Sequence, residues 1–204
     1  LKSSLRLATK NMSYQKENLV LVSGGAFAAK MAVAVQLWRL LNDSKRPFVR
    51  LNSKEFSSKK ELSTNIRGAS GGDLVLVDFE AFSFKQCKLI YEWLSQHPSS
   101  RLIALYQKLP NKIQIDSNTC LNFTDRIEIL PLERRKDDVK MLVNKVLSSK
   151  GVFTCSLEAM KVFVMSSWPS GVRQLLDVTI KSIWFARQDG RNVLYKEDVI
   201  RALN

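Results

Sequence analysis

Three uninterrupted apolar runs constrain this chain more than any other feature: Leu19-Val20-Leu21-Val22, Leu74-Val75-Leu76-Val77 and Leu102-Ile103-Ala104-Leu105. A strand with one wet face alternates polar and apolar residues, whereas a run without alternation needs cover on both faces. Between the runs the period turns helical. Met31, Ala34, Val35, Trp38 and Leu41 share one helical face, as do Leu89, Ile90, Trp93 and Leu94 within a helix over 86–96. Asn42-Asp43-Ser44 reads as the close of the first helix, and residues 47–51 and 127–129 as two further strands. Strands alternating with helices predict an α/β fold with a mostly parallel sheet covered on both sides.

After Pro131 the pattern stays helical. Val139, Leu142, Val143 and Val146 mark a helix over 136–149. Ser156 is placed to cap a second helix carrying Leu157, Met160 and Val164. Gly171 opens a third, Asp189-Gly190 turns the chain, and residues 197–203 form a short last helix. The expected organisation is an α/β lobe over 1–133 and an all-helical lobe over 134–204, joined at the charged run Glu133 to Asp138.

Composition narrows the chemistry. A single histidine, His97, excludes a multi-histidine metal site, and no metal centre is expected. Cys87, Cys120 and Cys155 form neither a C-x-x-C motif nor an even disulfide framework, which points to a reducing, cytoplasmic setting. The chain opens at Leu1 without a leader pattern and reads as a piece of a longer protein. The apolar stretch 19–35 is broken by Ser23-Gly24-Gly25. Lys30 within it would cost roughly 2.5–3.5 kcal/mol at a bilayer centre, so no membrane span is expected. The net charge of +13 suits anionic partners. Yet no helix-turn-helix, zinc or RNP signature accompanies it, and Lys54, Lys59-Lys60 and Arg134-Arg135-Lys136 read as solvated surface.

A strand, a glycine turn and a lysine-bearing helix is the layout of a phosphate-binding loop. The template G-x-x-x-x-G-K-[ST] falls on Gly24-Gly25-Ala26-Phe27-Ala28-Ala29-Lys30-Met31. Gly24 and Lys30 match. Ala29 stands where the second glycine lets phosphate approach, and Met31 replaces the hydroxyl that holds magnesium. Asp78 ends the third strand, as a residual magnesium ligand or as a solvated strand end. Phe79 follows it where an acid would polarise water, and Glu80 is displaced by one position.

Two distant segments resemble a known family. Pro131-Leu132-Glu133-Arg134-Arg135-Lys136-Asp137-Asp138-Val139 is similar to the P-L-R-E-R-x-E-D-I stretch of bacterial sigma-54-dependent activators of the AAA+ class. Trp168-Pro169-Ser170-Gly171-Val172-Arg173-Gln174-Leu175 resembles their W-P-G-N-V-R-E-L. Ser156-Leu157-Glu158-Ala159, Arg46 to Asn52, Ala69 to Asp78 and Gln86 to Ile90 resemble further family segments in the same order. The resemblance implies an AAA+ P-loop-type parallel sheet sandwich followed by a helical lid subdomain. It also implies a pushing loop, G-A-F-T-G-A, for which residues 53–72 hold no counterpart. It places a sensor residue at Gln107 and a lid arginine at Arg173, and finds no trans-acting arginine in Thr119-Cys120-Leu121-Asn122-Phe123.

The expected function is therefore a degenerate AAA+ domain of a bacterial transcription regulator of the response-regulator kind, acting by self-association and relay, with ATP hydrolysis lost and no catalytic residues. Homo-oligomers, RNA polymerase or other transcription components, and DNA through a domain outside this chain are the implied partners. ATP, ADP or another nucleotide is the implied ligand at Gly24, Gly25, Ala29, Lys30, Met31, Asp78, Gln107 and Arg173. Magnesium is left with a depleted ligand set. Two alternatives stand beside this reading: a sensing module for a nucleotide or cyclic dinucleotide, and a slow ATPase using Glu80.

Overall fold

A computed structural model describes residues 19–42, 45–107, 121, 123, 125–151 and 154–204. The expected helix end at Asp43-Ser44, and Thr119, Cys120 and Asn122, lie outside the described residues. The chain divides into two compact units, residues 1–25 with 29–129, and residues 26–28 with 130–204.

The first unit contains β1 (Leu19–Gly24), α1 (Lys30–Asn42), β2 (Phe48–Asn52), α2 (Lys59–Asn65), β3 (Asp73–Val77), α3 (Phe84–Gln96), β4 (Arg101–Gln107) and β5 (Asp125–Ile129). The strands form one parallel sheet in the order β2-β3-β4-β1-β5. The apolar runs occupy its three central strands, as two-sided burial requires. Leu21, Leu74, Leu76, Leu102 and Ala104 enter a core with Leu62 and Ile66 from the α2 region and Cys87 and Ile90 of α3. The alternate residues Val20, Val22, Val75, Ile103 and Leu105 are equally buried. They point to the opposite face, and α1 packs on β1 and β4.

Helix α1 buries Val33, Ala34 and Leu37, while Met31, Val35 and Trp38 are only half-buried. The expected stripe is thus rotated. The helix is apolar nearly all round, so its period does not choose a face, and the sheet does. Trp38 settles at the margin, where its indole donates to Arg46 O at 2.8 Å and its ring meets Phe48 at 5.5 Å.

At the amino edge of the sheet β3 starts under tight constraint. Asp73 N donates to Pro47 O (2.8 Å) and Arg101 N to Gly72 O (2.9 Å). The buried Asp73 carboxylate receives Arg101 Nη2 at 2.8 and 2.5 Å.

The second unit holds α4 (Lys136–Ser149), α5 (Leu157–Met165), α6 (Gly171–Gln188) and α7 (Lys196–Leu203), with β6 (Thr154–Cys155) and β7 (Val193–Leu194) pairing in parallel. Ser156 caps α5 as expected, its side chain accepting from Ala159 N at 3.1 Å. The core gathers Val139, Val143, Leu147, Phe163, Leu175 and Val199. The two segments that carry the family resemblance meet here. Trp168 N donates to Glu133 Oε1 at 2.6 Å, and this bond, ahead of other causes, holds the Glu133 carboxyl below the usual range. Arg191 closes the α6–α7 connection, its guanidinium gripping buried Asp198 through two bonds of 2.8 Å. Among the described residues no helix is long and apolar enough to cross a membrane.

A Cβ on Gly72 would stand 2.2 Å from Pro47 O, whereas one on Gly25 would meet nothing within 4 Å. Gly72→Ala is expected to lower stability by about 2–3 kcal/mol, and Gly25→Ala to stay within about 0.5 kcal/mol of wild type. Denaturant unfolding midpoints of the two variants check this.

Candidate functional site

A parallel sheet leaves its free backbone and polar side chains at the carboxyl ends of its strands, where ligands of open α/β sheets bind. In this sheet Gly24 at the end of β1 stands in register with Gln107 at the end of β4. β3, the other neighbour of β4, ends at Val77 and delivers Asp78 and Glu80 to the same edge.

Lys30 opens α1. Its Nζ donates to the carbonyl of Gly25 at 3.0 Å and to that of Gly24 at 3.4 Å. Burial lowers the Lys30 pKa, and the carboxylates of Glu80 and Asp78 work against that shift. The structure therefore brings Lys30, Asp78 and Glu80 within electrostatic reach of one another. The first turn of α1 carries no acid. Its leading amides lack intrahelical acceptors, so lysine and amides together form an anion-favouring corner.

The loop preceding α1 bends through the left-handed region without glycine. Phe27 has φ of 51° and Ala29 of 66°. Ala29 is thus held in the conformation for which the template uses glycine, at a cost of roughly 1–2 kcal/mol. Met31, half-buried, follows Lys30 with a thioether in the hydroxyl position. Phosphate suits Lys30 and the helix amides. The Met31 thioether is a poor ligand for magnesium, a hard cation.

Asp78 is itself left-handed, with φ of 52°, and its side chain is exposed and caps nothing. Phe79 turns into the core, 3% exposed, with its ring 5.3 Å from Phe123 and 6.0 Å from Phe82. Glu80 takes a role that spacing did not reveal: its Oε2 accepts from the backbone amide of Gln107 at 3.1 Å. Only the adjacency of β3 and β4 could have identified this pair.

Arg173 belongs to the second unit, with the segment 26–28. Its guanidinium carbon lies 5.4 Å from the centre of the Phe27 ring. Val172 N donates to Phe27 O at 3.2 Å. Gly171, at φ of 58°, lets α6 begin there, since a Cβ would lie 2.8 Å from Phe27 O. Phe27 is the partner that sequence reading missed. An exposed aromatic inside a small-residue turn was the available signal.

No family model and no curated protein matches the chain. Among solved structures it is similar to NtrX from Brucella abortus in complex with ATP, with a TM-score of 0.75 and 16% identity over 97% of this chain and 52% of that one. NtrX in complex with ADP gives 0.74 at 16% identity, over 96% and 52%. RuvB from Thermotoga maritima gives 0.71 at 14% identity, over 99% and 67%. The chain spans about half the length of the NtrX structures. Its fold is the parallel-sheet α/β fold of these proteins.

Ala29→Gly relieves the left-handed strain and is expected to stabilise the protein by about 0.5–1 kcal/mol, after allowing for the greater freedom of glycine in the unfolded chain, as read from the thermal midpoint. Lys30 has a folded pKa below its unfolded value of 10.5. The unfolded state then binds more protons between the two values, so stability rises with pH across that window. Compared with Lys30→Met, the wild type is expected to gain stability as pH climbs toward 10.5, measured by denaturant midpoints at successive pH values.

Proposed function

We propose that this chain is a degenerate AAA+ module of a bacterial transcription regulator, which binds nucleotide as a signal and acts by self-association and relay without hydrolysis. On this reading residues 1–133 are a nucleotide-binding-like lobe and residues 134–204 its helical lid. The partners are further copies of the chain and the transcription machinery, and DNA is reached through a domain outside this chain. The cytoplasm is the compartment that fits.

The observation that carries the proposal is the end of β3. The residue after Asp78 is a phenylalanine sunk into the core, and the next acid, Glu80, is bonded to Gln107 N. Neither is placed as a free base for water. Removing one electrostatic contributor from a transition state costs roughly 100–1000-fold, and an absent arginine finger about 1000–100,000-fold. Binding has separate support in Lys30 and the opening amides of α1, and in the fact that NtrX of the same fold was solved with ATP and with ADP. What a bound nucleotide would supply is charge for Lys30 to meet in place of the Gly24 and Gly25 carbonyls.

Calorimetry against ATP, ADP and a cyclic dinucleotide, paired with phosphate-release assays, tests the reading. Nucleotide binding is expected to weaken about 10–100-fold in Lys30→Ala, the loss of a charged hydrogen bond. Phosphate release is expected to be equal and at background in both proteins. Release abolished by Lys30→Ala would establish the slow ATPase instead, and binding of the cyclic dinucleotide alone would establish the sensor. Size exclusion showing a strict monomer with and without nucleotide would sink the self-association.

A further inference from the structure

The outward face of α3 differs from an ordinary solvated helix. Phe84 is 59% exposed and Tyr91 52%. Seven residues apart, they share one face about 10 Å apart along the axis. Lys88 stands between them on that face and Lys85 lies beside Phe84, both exposed. Ser83 and Gln86 form a capping box that fixes the first turn. Gln86 Nε2 then donates to Ser53 O at 2.6 Å and Phe56 O at 2.8 Å, which seats the turn bearing Lys54 against the start of α3. α2 packs alongside and adds Lys59 and Lys60.

The acids of this region keep their charge, but each is held in place by a partner other than Lys54, Lys60, Lys85 or Lys88. Glu55 Oε2 accepts from Asn52 N at 2.7 Å, Glu61 Oε2 from Ser57 N at 2.6 Å, and Glu92 pairs with Lys59 at 3.2 Å. Hydrogen bonds from the Ser57 backbone and side chain lower the Glu61 pKa. Lys54, Lys60, Lys85 and Lys88 have no ion-pair partner among the described residues.

Unpaired lysines interleaved with exposed aromatic rings match the two demands of a single nucleic-acid strand, phosphates to neutralise and base faces to stack upon. A duplex hides its base faces. A membrane surface calls for a continuous apolar helix face, which Lys88 interrupts. We propose that this face of α3 binds single-stranded nucleic acid. Lys54, Lys60, Lys85 and Lys88 hold the phosphates, and Phe84 and Tyr91 stack the bases. The site shares no residue with the nucleotide corner at Lys30 and stands or falls separately from it.

Fluorescence anisotropy of the whole chain tests the proposal, with a labelled oligothymidylate of about 20 residues, a duplex of equal length, and salt varied from about 50 to 200 mM. Lys85→Glu with Lys88→Glu is expected to weaken single-strand binding at least about ten-fold and to reduce the log–log salt slope by about 1.4, two contacts of about 0.7 each. Phe84→Ala with Tyr91→Ala is expected to weaken single-strand binding about ten-fold while duplex binding stays as it was. Lys145→Glu with Lys181→Glu, in the other unit, should change neither, and thermal melts confirm that each variant folds. Absence of binding at the lowest salt, or indifference to both α3 pairs, overturns the proposal. So does tighter binding to phosphatidylserine vesicles or to an oligoglutamate peptide than to the oligonucleotide, which would assign the face to a membrane or an acidic protein.

Discussion

Covering a sheet on both faces dictates where this protein keeps its polar groups. With β1, β3 and β4 buried above and below, a charged side chain in mid-strand has no water to reach and must lie at a strand end or be fully paired. Asp73 and Arg101 combine the two at the amino edge: each opens its strand, and the carboxylate and guanidinium meet inside the protein. Lys30, Asp78, Glu80 and Gln107 take the first at the carboxyl edge. The candidate site is a direct consequence of that burial.

The amino edge also explains the glycine pair before β3. Gly72 passes so near Pro47 that no side chain fits, and the chain enters the sheet between β2 and β4 only through that gap. In the second unit Glu133 and Trp168 do comparable work. One carboxylate accepts the backbone amide that starts the W-P-S-G turn, and the indole of Trp168 closes on Phe163 O at 3.1 Å. The two stretches that carry the resemblance noted in the sequence are therefore packing partners.

At the carboxyl edge, geometry and side-chain chemistry diverge. The loop before α1 keeps left-handed residues at Phe27 and Ala29, although neither is glycine. Lys30 keeps its place at the head of the helix, where its ammonium is satisfied by carbonyls of its own loop. At the end of β3 Phe79 lies in the core between the exposed acids Asp78 and Glu80. Anion binding would draw on the first two features, and water activation on the third.

Much of this could be read before any coordinates. The continuous apolar runs announced buried strands, the change of period after Pro131 announced the helical unit, and the spacing from Gly24 to Lys30 announced a lysine at the head of a helix after a glycine turn. Each signal lies within a dozen residues, where covalent spacing alone sets which side chains face the same way. Helix α2, with Leu62 as its one buried residue, and the two-residue strands β6 and β7 offered too little pattern to be found. The buried face of α1, the bond from Gln107 to Glu80 and the grip of Phe27 on Arg173 were decided by tertiary structure. Those depend on which elements come to lie side by side, and contacts between residues remote in sequence leave no period in the chain to read.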